Sequence, residues 1–163
     1  MTNMIVNTVR FGEVSVDESR VIHFVEPILG FEGTRRYVIL DHSEDSPFKW
    51  LQSVDDPELA FVVTNPKFFG IDYEFTLNDD TVTQLQIQAA EDTVVLTIVN
   101  IPQDDPSKMT TNLLGPIVIS QTVRKAMQVV LHDTQYTTKT RLLPDELLQQ
   151  QQPAGSPSAQ KGD

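Results

Sequence analysis

The chain has 163 residues, no cysteine and a formal charge of −11, so it can form one folded domain without disulfides, thiolate chemistry or cysteine-based metal sites. This charge disfavours direct binding to nucleic acid or to an anionic membrane, because both need a basic surface, and it favours a basic partner. The acids are concentrated in residues 1–106, which carry 19 acids against 6 bases.

Short β-prone runs separated by turn residues follow one another along the chain. They are rich in Val, Ile, Phe and Thr, and most alternate between apolar and polar residues, as half-buried strands do. Asp-Pro, Asn-Pro and Gly-Pro pairs mark many of their boundaries. The predicted strands are 4–9, 13–16, 20–24, 37–40, 48–54, 59–64, 73–77, 94–101, 116–120 and 126–131.

Helical segments are few and short. Asn78 is a candidate N-cap for a helix that ends near Leu85, and two acids follow it where the helix dipole favours negative charge. A second helix is predicted over 31–36 and a single turn over 66–69. The whole pattern predicts a mainly β protein, a small antiparallel β-barrel with two or three short peripheral helices.

The composition changes after Pro144. Four consecutive glutamines and a Pro/Ser-rich stretch follow, with too little apolar area to offset the entropy of ordering. We therefore expect a folded domain over residues 1–143 and a disordered tail over 144–163. No window approaches the ~18 apolar residues of a membrane-spanning helix, so we expect a cytoplasmic protein that does not contact membranes.

No motif in the chain indicates catalysis. The glycines occur singly, so there is no phosphate-binding loop, and the three histidines, His23, His42 and His132, lie at predicted strand or turn positions. A weak metal site around His42 is one alternative, but a solvated turn is expected there. The adjacent acid pairs are interpreted as turn and capping residues. We expect a binding module without catalytic residues, metal or cofactor, and an enzyme of unknown chemistry is the competing hypothesis.

Two long strings of residues are more informative than the composition. The string from Phe48 to Pro66, FKWLQSVDDPELAFVVTNP, and the string from Lys108 to Ile119, KMTTNLLGPIVI, resemble the signature segments of the FliW family of flagellar assembly factors. Shorter matches extend the resemblance over about residues 5–143. The chain departs from the family pattern at Gly115, where alanine is common, and in the segment 25–29.

The resemblance implies a β-barrel protein of the cytoplasm that binds flagellin, through the C-terminal region of flagellin, and also binds the CsrA dimer, an RNA-binding regulator that represses flagellin translation. Export of flagellin would free the protein to sequester CsrA. We expect it to be a monomer when free. The alternative is an acidic adaptor with a different basic partner.

The matching strings also supply candidate partner-binding residues. Phe61 and Leu114 are expected to be the most buried of them, since a Phe or Leu in a β-rich domain commonly belongs to the core. The candidates are Asp56, Pro57, Phe61, Asn65, Pro66, Asn112, Leu113, Leu114 and Pro116.

Overall fold

The computed structural model describes residues 2–41, 46–132 and 134–143. The predicted tail and the predicted turn at His42 lie outside these residues. The described strands are β1 (Asn3–Thr8), β2 (Gly12–Asp17), β3 (Ile22–Phe24), β4 (Arg36–Asp41), β5 (Phe48–Ser53), β6 (Ala60–Thr64), β7 (Thr93–Asn100), β8 (Thr110–Thr111), β9 (Ile117–Ser120), β10 (Lys125–Gln128) and β11 (Thr140–Arg141). The α-helix α1 spans Asp79–Leu85.

Seven of these strands close into a barrel. They follow the order β7-β6-β5-β4-β3-β10-β9, and β9 pairs back onto β7 from Leu96 opposite Ile117 to Thr93 opposite Ser120. Neighbouring strands are antiparallel except β3 and β10, which run parallel. The predicted β-barrel is therefore confirmed, with one parallel pair in an otherwise antiparallel arrangement.

The interior of the barrel is filled by large apolar side chains. Because side chains alternate across a strand, each barrel strand sends every second residue inward. The fully buried members include Ile22, Tyr37, Leu51, Val63, Ile117 and Ile119. This interior is the main hydrophobic core of the protein.

Two smaller clusters lie apart from this core. The first joins Val6 of the β1–β2 hairpin to Val21 and Val38, so the hairpin is packed against the sheet near β4. The second joins Val99, Met109 and Leu142 near the short strands β8 and β11. No helix within the described residues is long and apolar enough to cross a membrane.

The register of the strands divides the connecting loops between two ends of the barrel. Residues 25–35 connect β3 to β4 and residues 54–59 connect β5 to β6, and both segments lie at one end. We call this the acidic end, because it holds Glu26, Glu32, Asp55, Asp56 and Glu58. The segments 18–20, 65–70, 90–92 and 121–124 lie at the opposite end.

The helical content is lower than predicted. Within the described residues α1 is the one α-helix, and four short 3₁₀ segments accompany it: Glu18–Arg20, Pro66–Phe69, Ala90–Asp92 and Pro106–Lys108. The turn predicted over 66–69 is confirmed. The helix predicted over 31–36 is wrong, because two turns there lead directly into β4, where Arg36 pairs with His23 of β3.

Residues 73–77 do not form the strand that was predicted. Their side chains alternate between more and less buried, as a strand requires, but no partner strand pairs with them. The Tyr136 hydroxyl replaces that partner: it accepts from the Glu74 N–H and donates to the Glu74 carbonyl, both at 3.0 Å. The two-residue strands β8 and β11 were too short to predict from pattern.

The cap of α1 gives a direct test of the local sequence reasoning. Asn78 Oδ1 accepts a hydrogen bond of 2.8 Å from the Thr81 N–H. We expect Asn78→Ala to lower the free energy of unfolding by about 1 kcal/mol, because this N–H loses its partner. Asn78→Asp keeps the acceptor and serves as the control. Urea unfolding would measure both, and equal stabilities for the Ala and Asp variants would contradict the capping role.

Candidate partner-binding site

The nine candidate residues do not form a single surface. Asp56 and Pro57 precede β6 and lie at the acidic end, whereas Asn65 and Pro66 follow β6 and lie at the opposite end. The strand β6 therefore separates the two halves of the first string. A single partner docking on one end of the barrel can contact only one of these pairs.

The turn that carries Asp56 and Pro57 is held by a buried amide. Gln52 is fully buried, and its Nε2 lies 3.0 to 3.4 Å from the carbonyl oxygens of Ser53, Asp56, Pro57 and Leu59. The Ser53 hydroxyl oxygen accepts from the N–H groups of Asp55 and Asp56. The carbonyls of Asp56, Pro57 and Leu59 also accept from backbone N–H groups, so the buried Gln52 amide adds a second donor that joins these parts of the turn.

Exposed apolar side chains accompany this turn at the acidic end. Leu29 is 66% exposed and Phe31 is 39% exposed. The ring of Phe31 packs edge-on against Phe61, with centroids 5.0 Å apart, and Phe61 in turn lies 6.2 Å from the ring of Tyr37 in the core. Phe61 thus supports an apolar surface formed by Leu29 and Phe31. The sequence did not predict this surface, although a Leu and a Phe on either side of Gly30 in a loop could have indicated it.

The bases at the acidic end already have partners. Arg36 Nη2 pairs with Asp55 Oδ1 at 2.5 Å, and this hydrogen bond raises the pKa of Arg36. Arg35 Nη1 donates to the carbonyl of Val25 at 2.9 Å. Within the described part of the chain the exposed carboxylates of Glu26 and Glu58 form no salt bridge. Apolar side chains beside uncompensated acids are suited to a basic protein partner.

The second string forms a bulge between β8 and β9. Both strands pair with β7, with Thr111 opposite Val99 and Ile117 opposite Leu96, so residues 112–116 are extruded between them. Asn112 shapes the bulge, because its Oδ1 accepts from the N–H groups of Leu114 and Gly115. The side chain of Asn112 therefore stabilises the bulge, independently of any partner.

Burial within the two strings differs from expectation. Leu113 is 2% exposed, and Pro66 and Pro116 are also buried, whereas Phe61 and Leu114 are only partly buried. The expectation that Phe61 and Leu114 are the most buried candidates is wrong. The reason is tertiary: the bulge turns Leu113 inward, and Phe61 is covered on one side by the loop that carries Phe31.

Gln128 joins the bulge to the acidic end. Its Nε2 donates to the Gly115 carbonyl at 3.0 Å, and its Oε1 accepts from the Leu29 N–H at 3.1 Å. A Cβ at position 115 would lie 2.9 Å from this Nε2. Glycine at this position therefore leaves room for the Gln128 side chain. Through its two hydrogen bonds, Gln128 connects the bulge, which includes Pro116, to the loop of Leu29.

A groove lies on the outside of the barrel near Asn65. Its volume is about 730 Å³, and its apolar lining comes from the segment 73–77, from α1 and from β7. Tyr73 forms part of its lining, and the Tyr73 hydroxyl donates to the carbonyl of Leu113 at 2.5 Å. Burial raises the pKa of this phenol, so the donor stays protonated over the physiological range.

The structure does not group side chains that could bind a metal ion. Among residues 2–41, 46–132 and 134–143 no three His, Asp or Glu side chains are grouped to hold a metal ion. The proposed weak metal site around His42 lies outside those ranges. The acid pairs Asp55-Asp56 and Asp104-Asp105 lie in turns, as predicted. Asp56 accepts from the Glu58 N–H, and Asp105 accepts from the Ser107 N–H.

Comparison with known proteins places these features in a family. The model of the family described as "FliW protein" matches residues 5–142. A flagellar assembly factor FliW of Bacillus licheniformis is 45% identical over 136 residues, covering 83% of this chain and 94% of that protein. One from Magnetococcus marinus is 39% identical, covering 86% of each. A crystal structure of the flagellar assembly factor FliW is 34% identical, with a TM-score of 0.81 over 88% of this chain and 99% of that one.

The buried amide of Gln52 is the basis of a stability prediction. Gln52→Glu keeps the shape of the side chain but turns a donor into a carboxylate that faces carbonyl oxygens. We expect the free energy of unfolding to fall by about 3 kcal/mol at neutral pH, with a smaller loss at low pH where the carboxyl is protonated. Gln103→Glu, at an exposed position, is the control. Urea unfolding at two pH values would measure both, and similar stabilities would refute this role of Gln52.

Proposed function

Because this chain belongs to the FliW family of flagellar assembly factors, we propose that it binds flagellin and the translational regulator CsrA, and so couples flagellin synthesis to flagellin export. It acts in the cytoplasm, as a monomer when free, by binding and without catalysis or a cofactor. The observation that carries this proposal is the family match over residues 5–142. The position of the apolar and acidic side chains supports a separate surface for each partner.

CsrA docks on the acidic end. A protein that binds RNA presents positive charge, and the carboxylates at 26, 32, 56 and 58 are complementary to it. Leu29 and Phe31 supply apolar contact area that such a complex desolvates. Asp56 and Pro57 lie in this surface, Phe61 supports it from below, and Pro116 is tied to it through Gln128.

The charge of the docked protein accounts for inhibition. A body with a formal charge of −11 beside the RNA-binding surface of CsrA lowers the local potential for phosphates, even where it does not cover the RNA site. The acids at the acidic end lie nearest to CsrA in this arrangement and contribute most to the repulsion.

Flagellin occupies the groove on the outside of the barrel. A helix from its C-terminal region presents an apolar stripe, and the groove offers the partly exposed Phe75, Leu77 and Val95 to receive it. Asn65 and Lys67 line its margin. They belong to the turn that Asn65 caps, which also holds the buried Pro66 and Phe68, next to Lys67 and 67% exposed. The groove and the acidic end are separate surfaces.

The bulge 112–116 couples the two surfaces. Tyr73, in the groove, donates to Leu113, and Gln128 connects Gly115 to the backbone of Leu29. Flagellin that displaces Tyr73 therefore acts on the bulge and, through Gln128, on the loop that contacts CsrA. This path gives a physical route by which one partner weakens binding of the other.

A pair of matched substitutions tests the assignment of partners. Leu29 and Phe68 are about equally exposed, so serine at either position should leave the fold intact. We expect Leu29→Ser to weaken CsrA binding roughly tenfold and to leave flagellin binding unchanged, and Phe68→Ser to do the reverse. Calorimetry with the CsrA and flagellin of the same organism would measure each affinity, and competition between them would test the coupling.

The same experiment separates the competing hypotheses. Binding of neither protein by the wild-type chain would refute the proposed function and favour an acidic adaptor with a different basic partner. Binding of both, with equal effects of the two substitutions, would retain the function and refute the assignment of surfaces.

A second pair of variants tests the electrostatic mechanism. Glu26→Gln with Glu58→Gln removes two carboxylates at the acidic end, and Glu18→Gln with Glu91→Gln removes two at the opposite end. We expect only the first variant to relieve the inhibition of RNA binding by CsrA, by roughly threefold at about 0.1 M salt, because the field falls off within a Debye length of ~10 Å there. Competition of RNA with each variant at saturating concentration would measure it. Equal inhibition by both variants would contradict the mechanism.

A further inference from the structure

A basic cleft lies in the mouth of the barrel at the opposite end. Its volume is about 380 Å³. Ile39, which packs against the barrel core, forms its apolar part, and the other residues are polar or charged. The lining residues are Ser19, Arg20, Ile39, Asp41, Lys49 and Arg124. Barrel mouths are frequent ligand sites, because strands from all sides project side chains into one space.

The charge of this cleft differs from that of the whole chain. Of the residues that the structure describes, three cationic side chains and one carboxylate line it, which gives a local formal charge of +2 in a protein of −11. Asp41 is already occupied, since its Oδ1 pairs with Lys49 Nζ at 2.6 Å. Among the described residues, neither Arg20 nor Arg124 forms a salt bridge.

Arg124 has an unusual backbone conformation. It lies in the turn between β9 and β10 with φ of 56°, in the left-handed region that a residue with a side chain adopts at a cost. Its Nη2 donates to the Arg20 carbonyl at 3.0 Å, and its Nε is buried without a hydrogen-bond partner within the described residues. Burial, together with the nearby charge of Arg20, lowers the pKa of Arg124.

Arg20 contributes a second guanidinium. Its side chain forms no salt bridge with any described residue. The pKa values of Asp17 and Asp41 are lowered mainly by hydrogen bonds from Ser19 and Lys49, and the nearby charge of Arg20 lowers them further. The Ser19 hydroxyl donates to Asp17 and is not free to donate to a ligand. Recognition of a ligand in this cleft therefore depends on the cations.

We propose that this cleft binds a single phosphate group, as inorganic phosphate or as a small phosphate monoester, between Arg20, Arg124 and Lys49. The planar guanidinium fork suits the oxygens of a tetrahedral anion, and the local charge of +2 matches a phosphate dianion better than a carboxylate. The cleft is large enough for a small monoester but not for a polymer, and the overall charge repels polyanions such as RNA. This site is independent of the surfaces proposed for CsrA and flagellin.

Calorimetric titration with sodium phosphate and with glycerol 3-phosphate, at constant ionic strength set by sodium chloride, tests the proposal. We expect saturable binding of one phosphate group per chain. Arg124→Gln and Arg20→Gln should each weaken it at least tenfold, and Lys139→Gln, which removes one positive charge at an exposed position elsewhere, should leave it unchanged. Arg20 is exposed, so its variant keeps the test valid if Arg124→Gln does not fold.

The probes distinguish the source of the phosphate. Equal affinity for the two compounds identifies the free anion as the ligand class, and tighter binding of glycerol 3-phosphate identifies a monoester. No heat beyond the chloride control, binding of sodium acetate as tight as that of phosphate, or equal losses in the Arg20→Gln and Lys139→Gln variants would overturn the proposal.

Discussion

Closure of the barrel by β9 on β7 is the constraint on which the rest of the structure depends. Four residue pairs, from Thr93 opposite Ser120 to Leu96 opposite Ile117, join the last barrel strands to the middle of the chain. This pairing removes the free edges that an open seven-stranded sheet would expose, and it encloses the core around Tyr37 and Leu51. It also creates two ends, so that loops distant in sequence share one surface.

The closure also produces the bulge that connects the proposed binding surfaces. Because β8 and β9 both pair with β7, the five residues between them cannot all stay in the ladder and are extruded. Asn112 stabilises the extruded backbone, Tyr73 satisfies the carbonyl of Leu113, and Gln128 ties Gly115 to the loop of Leu29. The second family string thus forms the junction between the groove and the acidic end. The hydrogen bonds of Leu113 and Gly115 hold the bulge and also position the loop of Leu29.

Local sequence signals predicted the parts of the structure that depend on local interactions. Asn78 caps α1 and Asn65 caps the turn 66–69, because an Asn side chain reaches the N–H groups of the next residues in any context. The segment 73–77 shows the limit of such signals. Its burial alternates as predicted, but strand formation needs a neighbouring backbone, and here a tyrosine hydroxyl takes that place. The exposure of Leu29 and the burial of Leu113 were missed for the same reason, since both depend on contacts with residues far away in the chain.

The sequence alone determined the mainly β class, the excess of acids, the absence of cysteine chemistry and, through two long strings, the family. These properties follow from composition, short-range periodicity and residue identity, which need no knowledge of contacts. Only the tertiary structure decided that Asp56 and Asn65 lie at opposite ends and that Phe61 supports Phe31. Likewise, only the fold brings Arg20 and Arg124, 104 positions apart, to the same cleft. Strand register and barrel closure set these distances, and neither is encoded in any local stretch of the chain.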